Sequence, residues 1–94
     1  MHYFVYLLRS EKDNNFYIGQ TNNVLTRLTK HNRGEVRSTA KRTPFKFIGC
    51  IEFSSRKEAL KFEKLIKLHS DQKIKFIKTF IPDFNWKSAN NVPG

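Results

Sequence analysis

The period of the apolar positions changes several times along the chain, and each change marks an element. YFVYLLRS (3–10) is dense in aromatic and β-favouring residues, EKDNN (11–15) has turn chemistry, and FYIGQT (16–21) returns to strand composition. Together they predict an N-terminal β-hairpin, with Asn14 and Asn15 able to take the left-handed conformations that the turn needs. Asn22 or Asn23 can cap a helix over about 22–33, with Val24, Leu25 and Leu28 as its apolar stripe and Gly34 as its stop. Residues 33–47 lose periodicity, carry Arg33, Arg37, Lys41, Arg42 and Lys46, and are interrupted by Pro44, which predicts a basic loop. FKFIGCIEF (45–53) reads as a third strand with apolar residues on both faces, which argues for a central position. Ser55 and Glu58 form a capping box opening a helix to about 69, whose core stripe is Ala59, Phe62, Leu65 and Ile66. A last helix over about 70–80 puts Ile74, Ile77 and Phe80 or Ile81 on one side until Pro82 ends it. The tail is expected to dock through Phe84 and Trp86 and to fray over 87–94.

The resulting order, β–β–α–β–α–α, predicts a small α/β domain: a mostly antiparallel three-stranded sheet flanked by three helices. Ninety-four residues suffice for one core and one domain, here 1–94 with its packed part over about 3–86. No repeat, low-complexity segment or linker interrupts it.

Charge narrows the function. Eighteen Lys and Arg against eight Asp and Glu give a formal net charge of +10, the sign that attracts polyanions. Nucleic acid is therefore the expected partner, DNA first and RNA by the same phosphate chemistry. No stretch approaches the ~18–20 apolar residues of a membrane span, so no membrane association is expected. Cys50 is the single cysteine, which leaves no disulfide framework and no CxxC metal pattern and suggests a core filler in a reducing compartment. The N-terminus lacks the pattern of a secretory signal, so a cytoplasmic monomer is expected.

Candidate chemistry begins with Arg27 and His31, which lie one helical turn apart on one face, as two potential cations awaiting an anion. Taken singly they are as well read as a solvated helix face. Tyr6 and Tyr17 are read as aromatics of a half-buried sheet, and Gly19 as a bulge or a point of close approach. Glu63 lies beside the core stripe of its helix, where a partly shielded carboxylate needs a cation; a neighbouring Lys is the simplest one.

The ordered set changes the reading. A strand ending its first motif in Tyr6, Tyr17-Ile18-Gly19 on the second strand, Arg27 and His31 on the following helix and Glu63 on a later one resembles the GIY-YIG nuclease family over nearly the whole chain. The similarity is closest to short stand-alone members akin to the nuclease domain found in the C component of excinuclease ABC. The first motif stands here as Phe4-Val5-Tyr6, departing from Gly-Ile-Tyr at two positions, whereas the second is intact. The C-terminal asparagine of several branches has no convincing counterpart, Asn85 being the nearest. The resemblance implies a metal-dependent DNA endonuclease, nicking or cleaving and related to repair, with one Mg²⁺ or Mn²⁺ held by Glu63. It further implies Tyr17 or Tyr6 as the base that activates water, with Tyr17 preferred and Tyr6 orienting. Arg27 would be the phosphate clamp, and His31 would hydrogen-bond Tyr17 or a phosphate oxygen. A tyrosine serves as base near neutral pH only if its ionisation is eased by ~3–4 kcal/mol, which a neighbouring Arg favours. Lys30, Arg33, Arg37, Lys41 and Arg42 are the expected phosphate contacts. The competing readings are a non-catalytic nucleic-acid-binding protein that retains the fold, or a structural protein targeted by a protein partner.

One geometric condition follows. Side chains alternate along a strand, so Tyr6 and Tyr17 share a sheet face only when paired residue numbers sum to an odd value. A four-residue loop at 12–15, setting Tyr6 opposite Thr21, would meet it.

Overall fold

A computed structural model describes residues 2–84; Asn85, Trp86 and the tail at 87–94 lie outside the described residues. The elements follow the expected order: β1 (Tyr3–Ser10), β2 (Phe16–Thr21), α1 (Val24–Asn32), a short 3₁₀ turn (Ala40–Arg42), β3 (Phe45–Phe53), α2 (Arg56–Leu68) and α3 (Ser70–Phe80). The sheet is antiparallel with order β2-β1-β3.

β1, not β3, is the central strand. Val5, Tyr6, Leu7 and Leu8 are all buried, as a strand covered on both faces requires. The central position expected for β3 is thus corrected: it is an edge strand. Its apolar residues face both ways because both sheet faces are covered, and it carries a bulge at Ile48, since Leu7 pairs with Gly49 and Leu8 with Phe47.

Val5, Leu7 and Ile18 project from one face onto Ala59 and Ile66 of α2 and Phe76 and Ile77 of α3, forming the main core. Tyr6, Leu8 and Phe45 project from the other, with Tyr17, Leu28 and Cys50 packed around them. Fully burying one Leu or Phe contributes roughly 1.5–3 kcal/mol, so the first cluster dominates stability. Helix stripes were only partly legible. Leu25 is 75% exposed and Leu65 41% exposed, whereas Phe76, outside the expected stripe, is buried. The short α1 covers the sheet with only part of its apolar face. The half-buried Cys50 thiol is pushed up by burial, consistent with a packing role.

Local signals set the helix ends. Asn23 accepts from the Thr26 N–H and Ser55 from the Glu58 N–H, the side-chain caps that open α1 and α2. Glu58 completes no reciprocal box, its carboxylate lying instead near the Ser54 hydroxyl. At the end of α1, Gly34 takes a φ of 74°, with Gly34 N–H donating to the His31 carbonyl and Glu35 N–H to that of Lys30. This Schellman ending turns the chain out of α1 past its Arg33 cap and starts the basic loop.

Candidate active site

The hairpin register decides which side chains meet. Tyr6 pairs with Gly19 and Leu8 with Tyr17, so the sum is odd and Tyr6, Tyr17 and Gly19 occupy one face. The pairing differs from Tyr6 opposite Thr21 by two residues, a full strand period, because the loop runs from Ser10 to Phe16 and turns at Asn14 with φ 65°. A shift by two leaves the face unchanged.

The Tyr6 ring lies directly across Gly19. A Cβ there would collide with the hydroxyl and Cζ of Tyr6, so only glycine admits the ring. Tyr6 and Tyr17 stand 6.3 Å apart between ring centroids, and the imidazole of His31 lies 5.8 Å from the first and 4.9 Å from the second, both edge to face. Phe45 closes the cluster at 5.7 Å from His31.

His31 is 0% exposed, and both ring nitrogens are occupied: Nε2 with the Tyr6 hydroxyl at 2.9 Å and Nδ1 with Thr39 Oγ1 at 2.7 Å. Burial, helped by the nearby Arg27 charge, lowers its pKa to about 4. The expectation of a second cation beside Arg27 is therefore corrected, because His31 is neutral at pH 7. Its expected hydrogen bond to Tyr17 or a phosphate oxygen is likewise replaced by those to Tyr6 and Thr39, since a ring without exposed surface cannot reach a ligand.

Tyr6 is 2% exposed, and burial raises its pKa to about 12 although a hydrogen bond from Arg27 opposes the rise. For Tyr6, desolvation outweighs the neighbouring guanidinium, the reverse of what a base requires. Both shifts keep the proton on the phenol rather than on His31. Tyr17 is half-buried and keeps some of its ring at the surface.

Arg27, one turn before His31, lies against both tyrosines, and its pKa is raised chiefly by the hydrogen bond to Tyr6. Its Nε is enclosed and has no hydrogen-bond partner among the described residues.

Glu63 comes from the opposite layer. α2 packs on the Val5–Leu7 face and against β2, the strand that carries Tyr17. The Glu63 side chain is 18% exposed, and Lys67 Nζ lies 3.0 Å from Oε2. The same ammonium stands 5.9 Å over the Tyr17 ring, and the Glu63 charge contributes to raising the Tyr6 pKa. The structure thus brings Tyr6, Tyr17, Arg27 and His31 into one cluster with Glu63 at its margin. The simple salt bridge anticipated for Glu63 is present, to the lysine one turn on. Lys67 and Thr39 were not singled out from sequence. The i, i+4 spacing from Glu63 would have flagged Lys67, whereas nothing in the spacing of Thr39 marks it.

Of the five basic residues expected to meet phosphate, Lys30, Arg33, Arg37 and Lys41 are exposed. Arg42 is corrected: its Nε holds Asp13 Oδ2 at 2.7 Å, its guanidinium stacks 5.4 Å from the Phe45 ring, and it donates to the Phe16 carbonyl. That hydrogen bond holds the Asp13 carboxyl at about 2, so Arg42 ties the basic loop to the hairpin.

The donor set fits a cation that keeps most of its waters. No cluster of three or more His, Cys, Asp or Glu able to hold a metal exists among the described residues, which rules against a protein cage. Glu63 is nonetheless half-shielded and already presents its carboxylate to a positive charge, that of Lys67. Mg²⁺ is commonly held by one or two carboxylates together with water and substrate phosphate.

Comparison with known proteins identifies the family. The GIY-YIG catalytic domain matches residues 2–75. A UPF0213 protein of Nitratidesulfovibrio vulgaris is 44% identical over 79 residues, covering 82% of this chain and 71% of its own. Another, from Enterococcus faecalis, is 41% identical over 83 residues, covering 84% and 92%. The solution NMR structure of a UPF0213 protein from Bacillus halodurans superposes with a TM-score of 0.52 at 31% identity, covering 84% of each chain.

Proposed function

This chain belongs to the GIY-YIG family, and from that premise we propose that it is a metal-dependent endonuclease that hydrolyses DNA phosphodiester bonds, as a nicking or cleaving activity suited to repair. Membership supports a nuclease-type function and nucleic-acid binding. The observation that carries the finer reading is the convergence of Tyr6, Tyr17, Arg27 and His31 on one sheet face, with an Arg27 Nε left unpartnered.

Each step has a residue. Arg27 offers a planar fork of donors to two non-bridging phosphate oxygens, a geometry that Lys cannot reproduce. Tyr17, half-buried beside Arg27, orients the attacking water and takes its proton. Tyr6, buried and hydrogen-bonded to His31, fixes the position of Arg27. Glu63 would hold Mg²⁺ or Mn²⁺, whose chemistry at a phosphodiester is charge neutralisation on the phosphoryl and departing 3′ oxygens. Lys30, Arg33, Arg37 and Lys41 position the backbone without reading sequence.

Tyr6 is the other candidate base implied by the family resemblance, but its burial and its pKa of about 12 weigh against it and favour Tyr17. Tyr6→Phe and Tyr17→Phe separate the two: the variant that loses kcat while retaining DNA binding identifies the base.

The test of the whole reading is nicking of supercoiled and branched DNA with and without Mg²⁺ or Mn²⁺. Wild-type protein nicks only with metal, and Glu63→Gln binds DNA at least as tightly but does not turn over, because the metal acts on transition-state charge. Salt-dependent binding without nicking under any metal would leave a non-catalytic nucleic-acid-binding protein.

A further inference from the structure

Thr39, from the basic loop, is 0% exposed and meets His31 where that ring is itself 0% exposed, so each polar atom there needs a partner. Thr39 Oγ1 lies 2.7 Å from His31 Nδ1 and 3.4 Å from the Val36 carbonyl oxygen, while the Tyr6 hydroxyl lies 2.9 Å from Nε2. A carbonyl only accepts, and Arg27 only donates. If the Thr39 hydroxyl donates to Val36, its oxygen accepts from Nδ1–H. Nε2 then carries the lone pair and accepts from Tyr6, whose oxygen is left facing the Arg27 charge. The hydroxyls of Thr39 and Tyr6 and the Nδ1–H of His31 each then have an acceptor. In the other tautomer, Nε2–H donates to the Tyr6 oxygen, the Val36 carbonyl keeps only the Thr39 N–H, and the Tyr6 proton must turn outward, toward the Arg27 charge.

The geometry points to Thr39 as a positioning residue that holds His31 in the Nδ1–H tautomer, and thereby aims the Tyr6 proton inward and the Tyr6 lone pair at Arg27. The assignment has no counterpart in the residues expected from sequence. Its consequence for turnover rests on the nuclease reading above, whereas the tautomer does not. The segment that carries the exposed Arg37 and Lys41 therefore also fixes the imidazole behind the proposed catalytic groups.

Long-range ¹H–¹⁵N spectra of the labelled full chain near pH 7, recorded for wild type, Thr39→Val and Thr39→Ser, test it together with nicking kinetics. Wild type and Thr39→Ser are expected to show a protonated Nδ1 and a bare Nε2. Thr39→Val removes the acceptor and should shift the proton to Nε2, with kcat lower by ~10-fold or more and KM within about twofold. A stability loss alone would move neither the tautomer nor the split between kcat and KM. Protonated Nε2 in wild type, or unchanged Nδ1–H in Thr39→Val, overturns the assignment. The wild-type spectrum decides the tautomer even if Thr39→Val fails to fold. A tautomer switch with kcat unchanged overturns the role in turnover. A switch in a protein that nicks under no condition overturns the nuclease reading and leaves the tautomer assignment standing.

Discussion

Acidification should destabilise this protein through His31 before the tie between Asp13 and Arg42 is lost. The imidazole has a pKa of about 4 in the fold, against an ordinary value of 6.5. The unfolded chain therefore binds a proton that the folded chain refuses, and stability falls as pH drops through 6.5, levelling off below about 4. At pH 4.5 the linkage amounts to about 2.5 kcal/mol, a substantial part of the ~5–15 kcal/mol typical of a domain. Asp13, held at about 2 by Arg42, loses its contribution only below its ordinary 3.8 and so lies outside this window. The assay is urea unfolding at pH 7 and pH 4.5 for wild type and His31→Gln. With an m-value of ~1–2 kcal/mol/M, the wild-type midpoint should fall by roughly 1.3–2.5 M more than that of the variant. The variant starts less stable, having lost the ring's packing, but lacks this titration. Equal falls in the two proteins, or a His31 resonance that titrates near pH 6.5 in the folded state, would refute the reasoning.

Gly19→Ala must displace the Tyr6 ring, so it should cost roughly 1–3 kcal/mol in thermal or urea unfolding and remove nicking with it. Normal activity would show that Tyr6 need not stand where it does. Replacing Arg33, Arg37 and Lys41 together with Gln should weaken all DNA sequences alike and flatten the slope of log K against log salt by up to about 0.9 per lost phosphate contact, whereas a sequence-selective loss would contradict backbone binding. Arg42→Gln should instead lower the melting temperature, because it unties the loop from Asp13 and Phe16; a weaker DNA complex at unchanged stability would restore it to the binding face.

The element order could be read from sequence because each element carries its own punctuation: Asn23 and Ser55 at helix starts, Gly34 at a helix stop, the alternating aromatics of the hairpin. Strand order could not, since β1 and β3 have similar apolar density and only the packing of Val5 through Leu8 on both faces distinguishes the centre. The shared face of Tyr6 and Tyr17 reduces to a parity, and a register error of two preserves parity. Protonation states were beyond reach. The sequence sets Arg27 and His31 on one face, but whether that face is wet depends on Phe45 and Thr39, which arrive from a loop and strand later in the chain. Arg42 failed for the same reason: its charge is counted in the sequence, while its partner Asp13 is twenty-nine positions away.

The distribution of partners around the two charges of the site is itself informative. Among the described residues, Arg27 is bounded by the hydroxyls of Tyr6 and Tyr17 rather than by a carboxylate, and its enclosed Nε lacks an acceptor. An arginine placed only for stability would gain more from a bidentate carboxylate, and leaving a buried donor unmet costs roughly 1–3 kcal/mol. The carboxylate that could have served, Glu63, is taken by Lys67 at the β2 edge. Were Glu63 to pair with Arg27, both charges would be spent on each other. Kept apart, the guanidinium remains able to accept an anion and the carboxylate to exchange its ammonium for another cation. On the function proposed above, a phosphodiester with a divalent ion would meet both charges at once.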